Sequence, residues 1–453
     1  MRKIRNLSEG SFLKLLFAFF TGAFLIAAVC MPDRDTMFTG LWKIATGTAK
    51  ISTNYFSVGG YAASFLNTGL IALFCLLLFV VFRATPNNAS TLAFILTIGF
   101  GTWGINIINF WPSVLGVLLY ALIKREKPAN LVNAMLFSTG PAPLISELLF
   151  RYPSTEYIGF NWLGLVLALA VGIIIGLFLP AGLAHSPKVH KGYDLFSAAL
   201  PIGMMTFLLN GALFKTMGLD VNALSTSGDM GVTSALITNI FCSALFGICI
   251  IAALLMGCTP KDYWILLRDK NSVSNFSSTY GNATFLMNVG VYGLFILGCY
   301  NLIDAPFNGV TVGILFCMLS CCNSGSHPGN VWPIILGYIT ASTVFGWIAP
   351  LLGGNFTLAI NSQAICVGLC FASGLSPIAD KYGWHYGFIA SIIHYLLVTS
   401  MPNLHGGFCL YNGGLTAAIT CLILAPELER LCHTKDERKA LRLRRRENKV
   451  SSK

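Results

Sequence analysis

Only a handful of residues in this 453-residue sequence could do chemistry from inside an apolar segment. Glu147, in the run Leu144-Ile-Ser-Glu-Leu-Leu-Phe150, is the clearest carboxylate. Arg151 follows it by four residues, a helical spacing that pairs the two near a membrane interface. His394 sits in an apolar stretch, and an imidazole changes charge near neutral pH. Glu147 and His394 are therefore the candidates for proton coupling, beside the simpler readings of an ion pair and a hydrogen-bonded structural histidine. His327, His405 and Asn412 stand in Gly-rich stretches where a polar pocket can form. With Asn67, Asn109, Trp111, Asn288, Asn330 and Trp332 they are the candidates to line a solute pathway, because polar groups at membrane depth are costly and default to functional roles. Cys321-Cys322 followed by His327 could ligate a metal, yet thiols at an apolar helix end more often pack as small apolar side chains. No metal or other cofactor is expected. There is no GxSxG, HExxH or GxxxxGK[ST], so no catalytic residue is assigned and no ATP-driven cycle is available to this chain alone.

The elements that must position these residues are membrane helices. The sequence is 55% hydrophobic and 10% charged, where a soluble domain carries about 25% charged residues. Apolar runs cover residues 12–31, 62–82, 162–179 and 232–256, with a further run around 389–398. A bilayer core about 30 Å thick needs roughly 20 such residues in a helix, and none of these runs alternates as barrel strands do. The expected fold is all-α: a polytopic integral membrane protein. The first run, preceded by Arg2, Lys3 and Arg5, exceeds the about 7–15 residues of a signal h-region and is read as a retained span. The net charge of +11 gathers at the chain ends, above all in residues 435–453. Such basic ends predict a cell-membrane protein with both termini cytoplasmic and an even number of crossings. No aromatic-basic groove accompanies the charge, so nucleic acid is not an expected partner.

The chain repeats itself. Asn109-Phe-Trp-Pro-Ser-Val-Leu-Gly116 recurs as Asn330-Val-Trp-Pro-Ile-Ile-Leu-Gly337, an offset of 221 (330 against 109). Asn67-Thr-Gly69 meets Asn288-Val-Gly290 at the same offset. Two looser matches pair Gly182-Leu183 with Gly374-Leu375 and residues 231–238 with 414–420. The expected layout is a first span and loop at 1–54, repeats at 55–258 and 282–430, a polar connection at 259–281 and a basic tail at 431–453. Both Trp-Pro pairs are expected to begin helices, since proline suits a first helical turn. Gly/Pro-rich interruptions at 137–143, 321–330 and 401–414 are tolerated at membrane depth only where protein buries them or a wet cavity borders them. Matching breaks in two halves point to a transport site between the repeats. An even number of spans per half, giving an axis along the membrane normal, is the expectation.

The duplicated Asn-x-Trp-Pro-x-x-Leu-Gly, the segment His405-Gly-Gly-Phe-Cys-Leu-Tyr-Asn-Gly-Gly414 and the two-copy layout resemble an uncharacterised bacterial family. Its members are multi-spanning membrane proteins built on a domain of unknown function that can occur twice. The resemblance implies the fold and supplies no activity. The architecture suggests a transporter or channel-like facilitator of a small solute, neutral or zwitterionic given the scarcity of buried charge. The alternatives are a membrane-embedded enzyme acting on a lipid or lipid-linked substrate, for which His385, His394 and His405 would have to cluster, and a non-catalytic scaffold. The expected partners are the lipid bilayer and the solute, with a homo-oligomer also compatible.

Overall fold

The computed structural model describes residues 2–50, 53–154, 156–219, 230–268 and 274–451. The middle of the expected polar connection, residues 269–273, lies outside the described residues. The described residues form helices and no strands. The first half contains α1 (Glu9–Cys30), α2 (Met37–Thr46), α3 (Tyr61–Val81), α4 (Asn88–Gly99), α5 (Trp111–Lys124), α6 (Val132–Phe137), α7 (Ala142–Phe150), α8 (Trp162–His190) and α9 (Ala199–Leu213). The second contains α10 (Gly231–Leu255), α11 (Pro260–Leu266), α12 (Phe276–Leu302), α13 (Gly309–Leu319), α14 (Pro328–Leu351), α15 (Gln363–Ala372), α16 (Ser376–Tyr382), α17 (Trp384–Val398) and α18 (Asn412–Leu431), and α19 (Lys435–Ser451) follows. Among the described residues, eight helical segments are long and apolar enough to cross a membrane. Their outward faces carry exposed Leu, Ile, Val and Phe, as lipid contact requires.

The halves share local chemistry at offset 221. Helix α3 starts after Gly60 (φ +90°), and the regular part of α12 starts after Gly281 (φ +81°); a left-handed residue there lets the chain turn sharply into a membrane helix. Asn87 caps α4 and Asn308 caps α13, each side-chain oxygen accepting backbone N–H groups of the first turn. Asn54 Nδ2 lies 2.9 Å from Met230 Sδ, and Asn275 Nδ2 donates to Glu9 Oε1 at 2.9 Å. Thus α10 stands to α12 as α1 stands to α3. The looser sequence match of 231–238 with 414–420 has no such structural counterpart.

The halves are inverted. Helix α3 begins at the C-terminal end of α1, where the Asp33 carboxylate accepts from Tyr61 N (2.7 Å) and Ala62 N (3.0 Å). Its counterpart α12 begins at the N-terminal end of α1, where Asn282 Nδ2 donates to Leu7 O at 2.9 Å. Equivalent helices therefore run in opposite directions, which places the pseudo-two-fold axis in the membrane plane. The axis is marked directly: Cys317 Sγ lies 3.8 Å from Leu96 O, and these are equivalent residues 221 apart. The α4–α5 unit is a hairpin. It enters and leaves on one face, since Asn133 returns to Asn87, 3.5 Å away. In the second half Gln363 likewise returns to Asn308, at 2.6 Å.

Candidate functional site at the repeat interface

Three interruptions per half converge where the halves meet. The first is the hairpin tip. Asn67, fully buried in α3, donates to Gly101 O (2.7 Å) and Ile105 O (2.9 Å). Asn288 in α12 donates to Cys322 O (2.8 Å) and Ser326 O (3.0 Å), at the same offset for all three residues. Asn109 Nδ2 binds Gly104 O and Ser146 Oγ, both at 2.9 Å, while its oxygen accepts Asn106 N at 2.7 Å. Asn330 Nδ2 binds Gly325 O (2.8 Å) and Asp380 Oδ2 (2.7 Å), and its oxygen accepts His327 N at 3.0 Å. All four asparagines are buried and engaged in closing the breaks.

The Trp-Pro pairs differ between halves. Trp111-Pro112 begins α5, but α14 begins at Pro328, a turn before Trp332-Pro333. His327 and Asn330 form a reciprocal cap that starts the helix early, with Pro328 in its first turn. Neither tryptophan faces the interface: Trp111 is 36% and Trp332 42% exposed. Trp111 borders an outward apolar groove with Trp42, Phe160 and Leu169, and Trp332 stacks on Trp384 at 5.9 Å.

The second and third interruptions interlock across the axis. Leu410 N donates to Gly140 O, and Leu195 N donates to Gly374 O, both at 3.0 Å. Gly140 separates α6 from α7, and Gly374 separates α15 from α16. A Cβ on Gly140 would strike the Tyr411 ring at 2.7 Å, and one on Gly374 the Phe196 ring at 2.5 Å. The connections that reach across are built alike. His405 Nδ1 accepts Cys409 N (3.3 Å) and its Nε2 pairs with Asn412 Oδ1 (2.8 Å). His190 Nδ1 accepts Asp194 N (3.4 Å) and its Nε2 pairs with Ser197 Oγ (2.9 Å). The sequences agree, His190-Lys-Gly-Tyr-Asp-Leu-Phe-Ser against His405-Gly-Gly-Phe-Cys-Leu-Tyr-Asn. Sequence reasoning passes over His190 and reads Asp194 as a span-end residue in water, whereas Asp194 is buried; this match sits 215 residues apart (405 against 190), six short of the offset that aligned everything earlier. Gly374 is thereby matched with Gly140, and not with Gly182 as the looser sequence match had it.

These geometries describe one duplicated unit. A family described as a protein of unknown function (DUF1576) matches residues 33–215 and again 255–430. The chain belongs to this family. No curated protein and no solved structure matches it. The two DUF1576 copies diverge at the interlock: Asp194 aligns with Cys409, Phe196 with Tyr411, and Glu147 of α7 with Lys381 of α16.

Charged side chains flank the interface at both ends. On one face Lys50 lies over the Phe408 ring at 5.9 Å, and Glu147 pairs with Arg151 at 3.4 Å, the ion pair expected from their spacing. Burial lowers the pKa of Lys50, opposed by the nearby Glu147 carboxylate. On the other face Lys381 lies over Tyr193 at 4.8 Å and donates to its hydroxyl at 2.7 Å. Lys191 pairs there with Glu429, and Arg438 reaches Tyr382 O. His394 is held away from both ends by Tyr338 and by Gly413 O (2.8 Å). His394 and His405 each have their own local partners, while His385 packs on Tyr386. Among the described residues no three His, Cys, Asp or Glu come together as a metal site.

Proposed function

We propose that this DUF1576 protein moves a small neutral or zwitterionic solute across the cell membrane, along the interface between its inverted halves. The observation that carries this reading is the convergence of two hairpin tips, two helix breaks at Gly140 and Gly374, and the two connections at 190–197 and 405–412 on one in-plane axis. Inverted repeats with broken helices at their boundary can exchange an inward-open for an outward-open arrangement by exchanging the conformations of two similar units. Polar groups gather at those breaks. The Trp103 indole N–H is buried there without a hydrogen-bond partner, as a hydrogen-bonding group for a solute would be. On this proposal Asn67, Asn109, Asn288 and Asn330 hold the walls of the pathway, His327, His405 and Asn412 shape its polar lining, and Trp111 and Trp332 face lipid. The repeat units begin with α1 and with α10, and both termini are cytoplasmic. The solute is sought by thermal shift of the purified protein against metabolites, followed by uptake into reconstituted vesicles. Failure of every stabilising compound to enter those vesicles would refute the transport reading.

A further inference from the structure

Asp194 is the one residue of its connection that the local fold does not explain. The loop from His190 to Ser197 makes the same bonds as the loop from His405 to Asn412, including the cross-axis bond to a glycine carbonyl. In the second loop the position is Cys409, so the geometry forms without a carboxylate. Asp194 is nonetheless buried, with 2% of its surface exposed. Its Oδ1 accepts Phe196 N at 2.9 Å, while Oδ2 has no hydrogen-bond partner. A buried carboxylate with an empty oxygen is costly when charged and is normally neutralised by a proton or paired with a cation. The titratable groups around it are His190 at the end of α8, Cys321 beyond α13 and Cys421 of α18. The lysines of the neighbouring cluster, Lys191 and Lys381, are engaged by Glu429 and Tyr193.

We propose that Asp194 is a reversible proton-binding site at the repeat interface, protonated while the interface is closed around it and releasing the proton when the mouth at Tyr193 and Tyr382 admits water. No bond other than O–H forms or breaks: the carboxylate takes a proton from water and returns it there. Its use as the coupling ion rests on the transport reading above; binding of the proton itself does not. Burial, partly opposed by the Phe196 N–H, pushes the carboxyl up to about 7, so it titrates in the range where cells hold proton gradients.

Three full-length proteins in lipid nanodiscs test the site: wild type, Asp194→Asn, and Asp194→Cys, which restores the residue type of the second repeat. Infrared difference spectra between acid and alkaline buffer are expected to show a protonated-carboxyl band in wild type that is lost in both variants. The Tm of wild type should also fall, relative to the variants, as pH rises toward and through neutrality. An unchanged carboxyl band in both variants, or superimposable Tm–pH profiles, overturns the proposal. A second measurement separates coupling from transport, using vesicles offered a radiolabelled pool of amino acids, sugars and polyols with and without a pH gradient. The gradient should stimulate uptake at least tenfold in wild type and not in Asp194→Asn. Equal uptake by both proteins, indifferent to the gradient, removes the coupling and leaves transport standing. If no member of the pool enters through wild type, the transport reading falls, and the infrared result decides the proton site by itself.

Discussion

Substituting Asn67 by alanine tests whether the two halves are one mechanical design used twice. The change removes an amide holding Gly101 O at 2.7 Å and Ile105 O at 2.9 Å. Neither carbonyl lies within an α-helix, so the helical ladder offers no replacement partner. A buried polar group left unsatisfied costs about 1–3 kcal/mol, so two give about 2–6 kcal/mol. Interhelical hydrogen bonds in bilayers average only about 0.6 kcal/mol, which makes the lower end the safer figure: about 2 kcal/mol. Asn288→Ala removes the equivalent bonds to Cys322 O and Ser326 O together with a long one from the Tyr263 hydroxyl at 3.3 Å, and should cost the same or up to about 1 kcal/mol more. Thr68→Val is the control. Its hydroxyl bonds Ser64 O within the same helix at 2.9 Å, and its loss should stay below about 1 kcal/mol. Reversible unfolding in mixed micelles supplies the three values. If one asparagine costs several kcal/mol and its partner matches the threonine control, the equivalence of the two breaks is wrong.

Further outcomes follow from the same geometry. Gly313→Ala should destabilise by about 1–3 kcal/mol, the usual cost of overpacking, because its Cβ would fall 2.2 Å from Gly99 O at the axis; micelle unfolding measures it. Gly281→Ala meets no neighbouring atom and should cost only its positive φ, about 1 kcal/mol, whereas Gly60→Ala collides with Asp33 Oδ2 and should cost more. Asp194→Asn should leave stability unchanged near pH 4 and raise it above pH 7. The native carboxyl holds its proton up to about 7 against an ordinary value of 3.8, so the wild type loses stability as pH rises through that window; thermal melts of both proteins check the sign. Reporter fusions at the two ends should give the same cytoplasmic signal, and opposite signals would refute the shared placement of the termini read from their basic residues.

The sequence made the fold class and the duplication legible for a simple reason. Membrane helices must be long and apolar, and the breaks repeat rare combinations such as Asn-x-Trp-Pro that survive in both copies. Inversion was not legible, because opposite orientation is a property of space and leaves no mark on the order of residues; it emerged only from which end of α1 receives Gly60 and which receives Gly281. The asparagines were found by their repetition. Their employment on backbone carbonyls depends on loop conformation, which spacing does not encode. Asp194 stayed hidden because a carboxylate between Tyr193 and Leu195, near Lys188 and Lys191, reads as the wet end of a span. The interlock with Gly374 is what buries it.

The contact of Leu96 with its own counterpart, Cys317, has an implication for how such a chain arose. A unit duplicated head to tail can fold into inverted copies only if the single unit was able to enter the membrane in either sense. The ancestor of each half would then have been a dual-topology protein, weakly biased in its flanking charges and assembled as an antiparallel pair of identical chains. Residues on the axis would have met themselves in that pair, as Leu96 and Cys317 still do. Once fused, the halves were released from identity, and a carboxylate could be kept in one copy while the other drifted to a thiol.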